Sequence, residues 1–171
     1  MLRKTIFAAA GAFAITAGAL LVSDNLVRPS HADGHGAKVA AVKERQEAMK
    51  AVGGNMKIIA EFVKDSKGSA AEAAAAARKI GEIATAVPDV FKVEATLEEM
   101  DTVGKNRAKP NIWSDWDGFL ARGKVLEEES AKMASALDGG DAGAIQTQFG
   151  AFGKEGCGGC HETYRGPKVD G

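Results

Sequence analysis

Cys157-Gly158-Gly159-Cys160-His161 ends an apolar repeat of Ile145, Phe149 and Phe152, and its reading decides the fold. Cys-x-x-Cys-His is the attachment signature of a c-type haem. Two thiols at this spacing reach the two vinyl groups on one edge of the macrocycle and form thioethers. The histidine that follows directly is set under the ring, where its imidazole takes an axial position on iron. Cys-x-x-Cys alone also suits half of a zinc site, a thiol redox pair or a structural disulfide. A structural zinc site needs four protein ligands, and the chain has only two cysteines and three histidines. A dithiol oxidoreductase sets its motif at a helix start after a strand, and no convincing strand is present. One covalent haem c, held by Cys157 and Cys160 with His161 as the proximal iron ligand, is therefore the expected centre.

Working outward from that motif, the chain reads as helical. The repeat containing Ile145, Phe149 and Phe152 belongs to a segment from Asp141, its N-cap, to about Arg165. Gly150, Gly153, Gly156, Gly158 and Gly159 weaken a free helix by nearly 1 kcal/mol each relative to Ala. A haem face lying flat on the helix, or close helix contact, explains them. Upstream, Trp116, Phe119, Leu120, Gly123, Leu126, Met133 and Leu137 line one side of a helix from about Ser114 to Leu137, ended by Gly139-Gly140. Asp115 and Asp117 suit its positive end. Ser69, with Glu72 at the capping-box position, opens a helix that runs to about Val87. Its Ala73, Ala77, Ile80 and Ala84 stripe is thin, so it must pack closely. The first helix spans about Ala37 to Val63, with Val39, Val42, Met49, Val52, Met56 and Ile59 on one stripe. A long connection, about Pro88 to Ile112, is expected to cover something or cross over between helices. These elements give an all-α, antiparallel four-helix bundle with the haem in its core, filling space that so Ala-rich a chain leaves open.

The N-terminus reads as a secretory signal over residues 1–32. Arg3 and Lys4 form a basic start, Ile6 to Val22 is unbroken by charge, and Ser30-His31-Ala32 is a small-x-small cleavage site. The mature domain is then 33–171 and periplasmic, with cleavage near Ala32. Setting aside Arg3, Lys4, Arg28 and Asp24 from totals of 22 basic and 23 acidic residues leaves 19 and 22. No basic run argues for nucleic acid, and nothing after residue 32 is apolar and long enough for stable membrane insertion. The carboxylates read as solvated helix faces, Glu127-Glu128-Glu129 among them. No acid–base pair is evident, so an enzyme is not expected.

Several stretches resemble the class II cytochromes c, the family of cytochrome c prime and cytochrome c-556. They are Val42-Lys43-Glu44-Arg45-Gln46-Glu47-Ala48-Met49-Lys50, Pro110-Asn111-Ile112-Trp113-Ser114-Asp115-Trp116 and His161-Glu162-Thr163-Tyr164-Arg165. The resemblance implies that Arg45 and Gln46 lie beside the haem, with Arg45 in reach of a propionate, and that Arg165 lies near His161. It implies that Met49 faces the distal side of the ring. A ligating Met49 makes a low-spin electron carrier serving periplasmic redox proteins. A non-ligating one leaves a site for small gases, nitric oxide or carbon monoxide. Met56, Met100 and Met133 read as core fillers. Trp113, Trp116, Phe149, Phe152 and Tyr164 are candidates for the pocket wall. Members of the family are often dimers, and the small-residue second helix suggests a homodimer surface.

Overall fold

The computed structural model describes residues 31–100, 103 and 105–167. The expected signal segment, residues 1–32, lies almost wholly outside the described residues. The first helix, α1 (His31–Asp65), starts earlier than the Ala37 read from the sequence. After a tight turn through Gly68 (φ +77°), Ser69 caps α2 (Ala70–Thr85). The capping box is complete: the Ser69 hydroxyl accepts from Glu72 N–H at 3.2 Å, and the Glu72 carboxylate accepts from Ser69 N–H at 2.9 Å.

Two short helices punctuate the connection, α3 (Val87–Val90) and α4 (Asn111–Ser114). The third long helix, α5 (Trp116–Gly139), ends at Gly140, whose φ of +73° is the left-handed geometry that glycine supplies at no steric cost. Asp141 caps α6 (Ala142–Ala151) by accepting from Ala144 N–H at 2.7 Å. The helix then widens into a π-helical turn, Phe152–Gly158, before resuming as α7 (Gly159–Tyr164). The sequence reading expected one regular helix from Asp141 to Arg165.

The four long rods form an antiparallel four-helix bundle, and the described residues contain no strand, only an isolated bridge between Ala108 and Arg165. The thin stripe of α2 does pack closely. Ala73, Ala74, Ala77 and Ile80 are fully buried beside Ile59 of α1, Met133 and Leu137 of α5, and Phe152. A Cβ on Gly81 of α2 would lie only 3.4 Å from the Ser130 Cβ, showing how near α2 and α5 run. The α2 stripe is thus an internal surface. The five glycines of the last rod do not act as one group. None is among the residues lining the cavity that holds Cys157, Cys160 and His161. Gly156 is buried, and a Cβ there would meet Leu126 at 3.3 Å and Phe152 at 3.2 Å, so it permits close contact with α5.

One reading of surface charge is corrected. Glu129 is buried, not solvated: its carboxylate accepts from Lys132 Nζ at 2.6 Å and Gln148 Nε2 at 2.7 Å, joining α5 to α6. No helix among the described residues is long and apolar enough to cross a membrane.

Candidate functional site

At one end of the bundle α1 diverges from α5 and α7, leaving a cavity of about 450 Å³. This is within the roughly 300–1,000 Å³ of ligand pockets. Its α1 wall is Val42, Arg45, Gln46, Met49, Gly53 and Met56. The facing wall brings Cys157 from the π turn together with Cys160, His161 and Tyr164 from α7, and Phe119 and Leu126 from α5 close the side. The lid is the long connection, through Phe91 and Lys105 to Ala108. A second recess, about 460 Å³, lies between α1 and α2 beside Ile58 and Glu72; it is more open and holds no thiol or imidazole.

The lid is pinned from both sides. Asn106 Nδ2 donates to the carbonyls of Ala95 and Thr96, and Leu97 N–H donates to the Ala108 carbonyl at 2.8 Å. Lys109 N–H donates to the Tyr164 carbonyl and Gly166 N–H to the Arg107 carbonyl, so the lid and the end of α7 hold each other.

Arg45 is only 4% exposed. Its guanidinium donates to the carbonyls of Val90, Val93 and Ala95. It also lies 5.1 Å from the ring centroids of both Phe91 and Trp113, a double cation–π arrangement. Burial lowers its pKa to about 10. Arg45 therefore lines the cavity, and its donors tie down the lid. Gln46 Nε2 is buried without a hydrogen-bond partner among the described residues. A buried orphan donor is costly unless a ligand accepts from it.

Both cysteines are free thiols. Burial pushes Cys157 up and Cys160 up to about 11, with Arg122 and Arg165 acting weakly in the opposite direction on Cys160. A dithiol oxidoreductase needs the reverse, a depressed thiolate. Burial first, then the charges of Arg165 and Arg107, lowers the pKa of His161 and favours neutral imidazole, the form that ligates metal. Two protonated thiols, a neutral imidazole, a thioether across the cavity and an orphan amide donor together fit a covalently attached haem.

Of the aromatic residues expected at the wall, only Tyr164 lines the cavity; Phe91 and Phe119 supply the rest. Trp113 and Trp116 pack behind them, while Phe149 and Phe152 belong to the opposite core. Met100 and Met133 are fully buried fillers, and Met56 reaches the cavity two turns after Met49. Sequence reasoning also missed Lys105, Arg107 and Arg122 at the cavity. Their positions, scattered over the connection and α5, carry no local signal.

A family model described as Cytochrome C' matches residues 40–165. A cytochrome c' from Pararhodospirillum photometricum is 33% identical over 126 residues, covering 74% of this chain and 96% of that protein. A cytochrome c-556 from Agrobacterium tumefaciens (strain II Chrys) is 34% identical over 128 residues, covering 72% and 95%. Among solved structures, cytochrome c' from Thermochromatium tepidum matches with a TM-score of 0.65 at 23% identity, covering 76% of this chain and 97% of that one. A nitric oxide complex of a variant of cytochrome c prime from Alcaligenes xylosoxidans matches with a TM-score of 0.62 at 25% identity, covering 77% and 97%.

Proposed function

This chain belongs to the cytochrome c' family, whose members carry one covalent haem c, and on that premise we propose that it is a periplasmic electron carrier and not an enzyme. Cys157 and Cys160 would hold the haem, His161 would ligate iron from the α7 side, and Met49 would ligate it from α1. The observation that supports this reading is one cavity lined both by His161 of α7 and by Met49 of α1. When bound, the haem supplies reversible one-electron chemistry at iron, and a thioether ligand raises its potential.

The chain's own residues do the rest. Burial of His161 keeps its imidazole neutral and available. Arg45 holds the lid against α1 at the edge of the cavity. Gln46 offers the cavity an unmet donor. Arg165, next to the last turn of α7, holds positive charge near His161. The expected export segment supports the periplasmic location.

A second reading, binding of nitric oxide or carbon monoxide, is favoured by the nitric oxide complex of the Alcaligenes xylosoxidans protein at 25% identity. It is also favoured by Gly53, which lines the cavity one turn from Met49 and whose added Cβ would meet nothing within 4 Å. Absorption spectra of the mature holoprotein, oxidised, reduced, and reduced under carbon monoxide, decide between them. The carrier reading expects a low-spin spectrum with no prompt carbon monoxide shift, and a prompt shift in Met49→Ala. A high-spin ferric spectrum with a prompt shift in the unmutated protein would transfer the assignment to gas binding.

A further inference from the structure

Charge is distributed unevenly over this molecule. The chain has 22 basic and 23 acidic residues, yet among the described residues the cavity is lined by Arg45, Lys105, Arg107, Arg122 and Arg165 and by no carboxylate. Arg45 is buried and bound to lid carbonyls. Arg107 donates to the carbonyls of Gly166 and Pro167. Lys105, Arg122 and Arg165 are exposed, and none of the three makes an ion pair among the described residues. Several cations elsewhere are neutralised within a turn of helix, as in Lys50–Glu47, Lys79–Glu82 and Lys124–Glu127.

These cations come from α1, the lid, α5 and the end of α7, and they line the same cavity. Arg122 Nη1 would lie 3.1 Å from a Cβ on Gly159, placing its guanidinium over the Cys157–Cys160 turn. Arg165 is close enough to Arg107 to disfavour its charge. Two haem propionates neutralise at most two of the five charges. The acidic run on α5 offers no competing docking patch, because Glu127 pairs with Lys124 and Glu129 is buried.

We propose that the rim formed by Lys105, Arg122 and Arg165 is the docking face for an acidic redox protein, which exchanges single electrons with the haem through the mouth of the cavity. This rests on the electron-carrier reading. Like-charge clusters of this kind steer oppositely charged partners by roughly 10–1,000-fold in on-rate, with a steep loss in salt.

The test is stopped-flow oxidation of the reduced holoprotein by ferricyanide, which takes one electron and leaves ferric haem and ferrocyanide, with hexaammineruthenium(III) as the cationic oxidant. The rim predicts a ferricyanide rate that falls about tenfold or more between low and high salt, although the protein as a whole is net negative. It predicts the opposite slope for the cationic oxidant and inhibition by polyglutamate but not polylysine. Lys105→Glu with Arg122→Glu should flatten the ferricyanide slope, with the haem spectrum checking the fold. A ferricyanide rate that is flat or rises with salt in the unmutated protein, or a slope that survives both reversals, overturns the proposal. Phosphatidylglycerol vesicles that bind the holoprotein in the presence of excess polyglutamate would overturn the choice of a protein partner. These slopes need only an iron that can be reduced and reoxidised, so their outcome is independent of Met49, whereas the carbon monoxide test addresses the carrier reading directly.

Discussion

The Tyr164 hydroxyl donates to the Asp115 carboxylate at 2.6 Å, tying the last turn of α7 to the N-terminus of α5. Asp115 occupies the N-cap position of α5 yet makes no capping bond to that helix. Its carboxylate serves the tertiary contact instead, and Tyr164 also meets Phe119 edge-on at 5.2 Å. Tyr164→Phe should keep the ring contact and lose a hydrogen bond to a charged group, costing about 1.5–3 kcal/mol by urea denaturation of the holoprotein. Burial first, and then Asp115, raises the Tyr164 pKa to about 12. The unfolded value is about 10, so this contribution is complete below pH 10 and is lost as pH rises towards 12. Tyr164→Phe should lack that alkaline step.

Arg45 offers a sharper test of the lid. Lysine in its place keeps the charge but cannot span three carbonyls or stack between two rings. Arg45→Lys should cost roughly 2–3 kcal/mol, and hydrogen exchange should quicken at Ala95, Leu97 and Ala108 before the bundle core. A propionate role alone would leave exchange in the lid unchanged in the haem-free chain.

The glycines of the last rod should part company on substitution. Gly150→Ala adds a methyl where nothing lies within 4 Å and should stabilise by about 0.5–1 kcal/mol. Gly156→Ala forces contacts with Phe152, Leu126 and Glu129 and should destabilise by about 1–3 kcal/mol. Thermal unfolding of the two holoproteins checks both signs.

Glu129 gives an acid counterpart to Tyr164. Its hydrogen bond from Lys132, and then that from Gln148, outweigh burial and hold its pKa below the usual carboxylate value. Its contribution is present above the unfolded value of about 4.3 and is lost as pH falls through the lower folded value. Glu129→Gln should weaken the protein by about 1 kcal/mol at neutral pH and remove that acid step, measured by urea titrations at a series of pH values.

The helices were legible because their signals are local. Ser69 with Glu72, Asp141 and Gly140 each act on backbone groups within a few residues, and the apolar stripes of α1 and α5 repeat within one element. The haem motif is equally local. The π turn was not legible, since Gly153, Gly156 and Gly158 have no side chains to reveal a change of period. The three carbonyls that Arg45 binds have no sequence signature, because every residue has one. Glu129 differs from Glu127 and Glu128 only by where the α5–α6 packing falls. Phe91 and Phe119 replaced the expected tryptophans at the cavity because the lid's path, unreadable from its residues, decides which rings face inward. The basic rim needed residues 105, 122 and 165 to meet in space.

The π turn also says something about how the last rod tolerates changes in length. A π segment is an α-helix carrying one residue more than its turn requires. Removing one solvent-facing residue there, such as Lys154, would let the rod run as a regular α-helix while Phe152 stayed in the core and Cys157 stayed at the cavity. A deletion anywhere in α5 would instead rotate everything downstream by about 100°. The wall that bears the haem motif thus contains the bundle's natural site for the loss of a single residue, a length change that leaves the phase of the haem-bearing face intact.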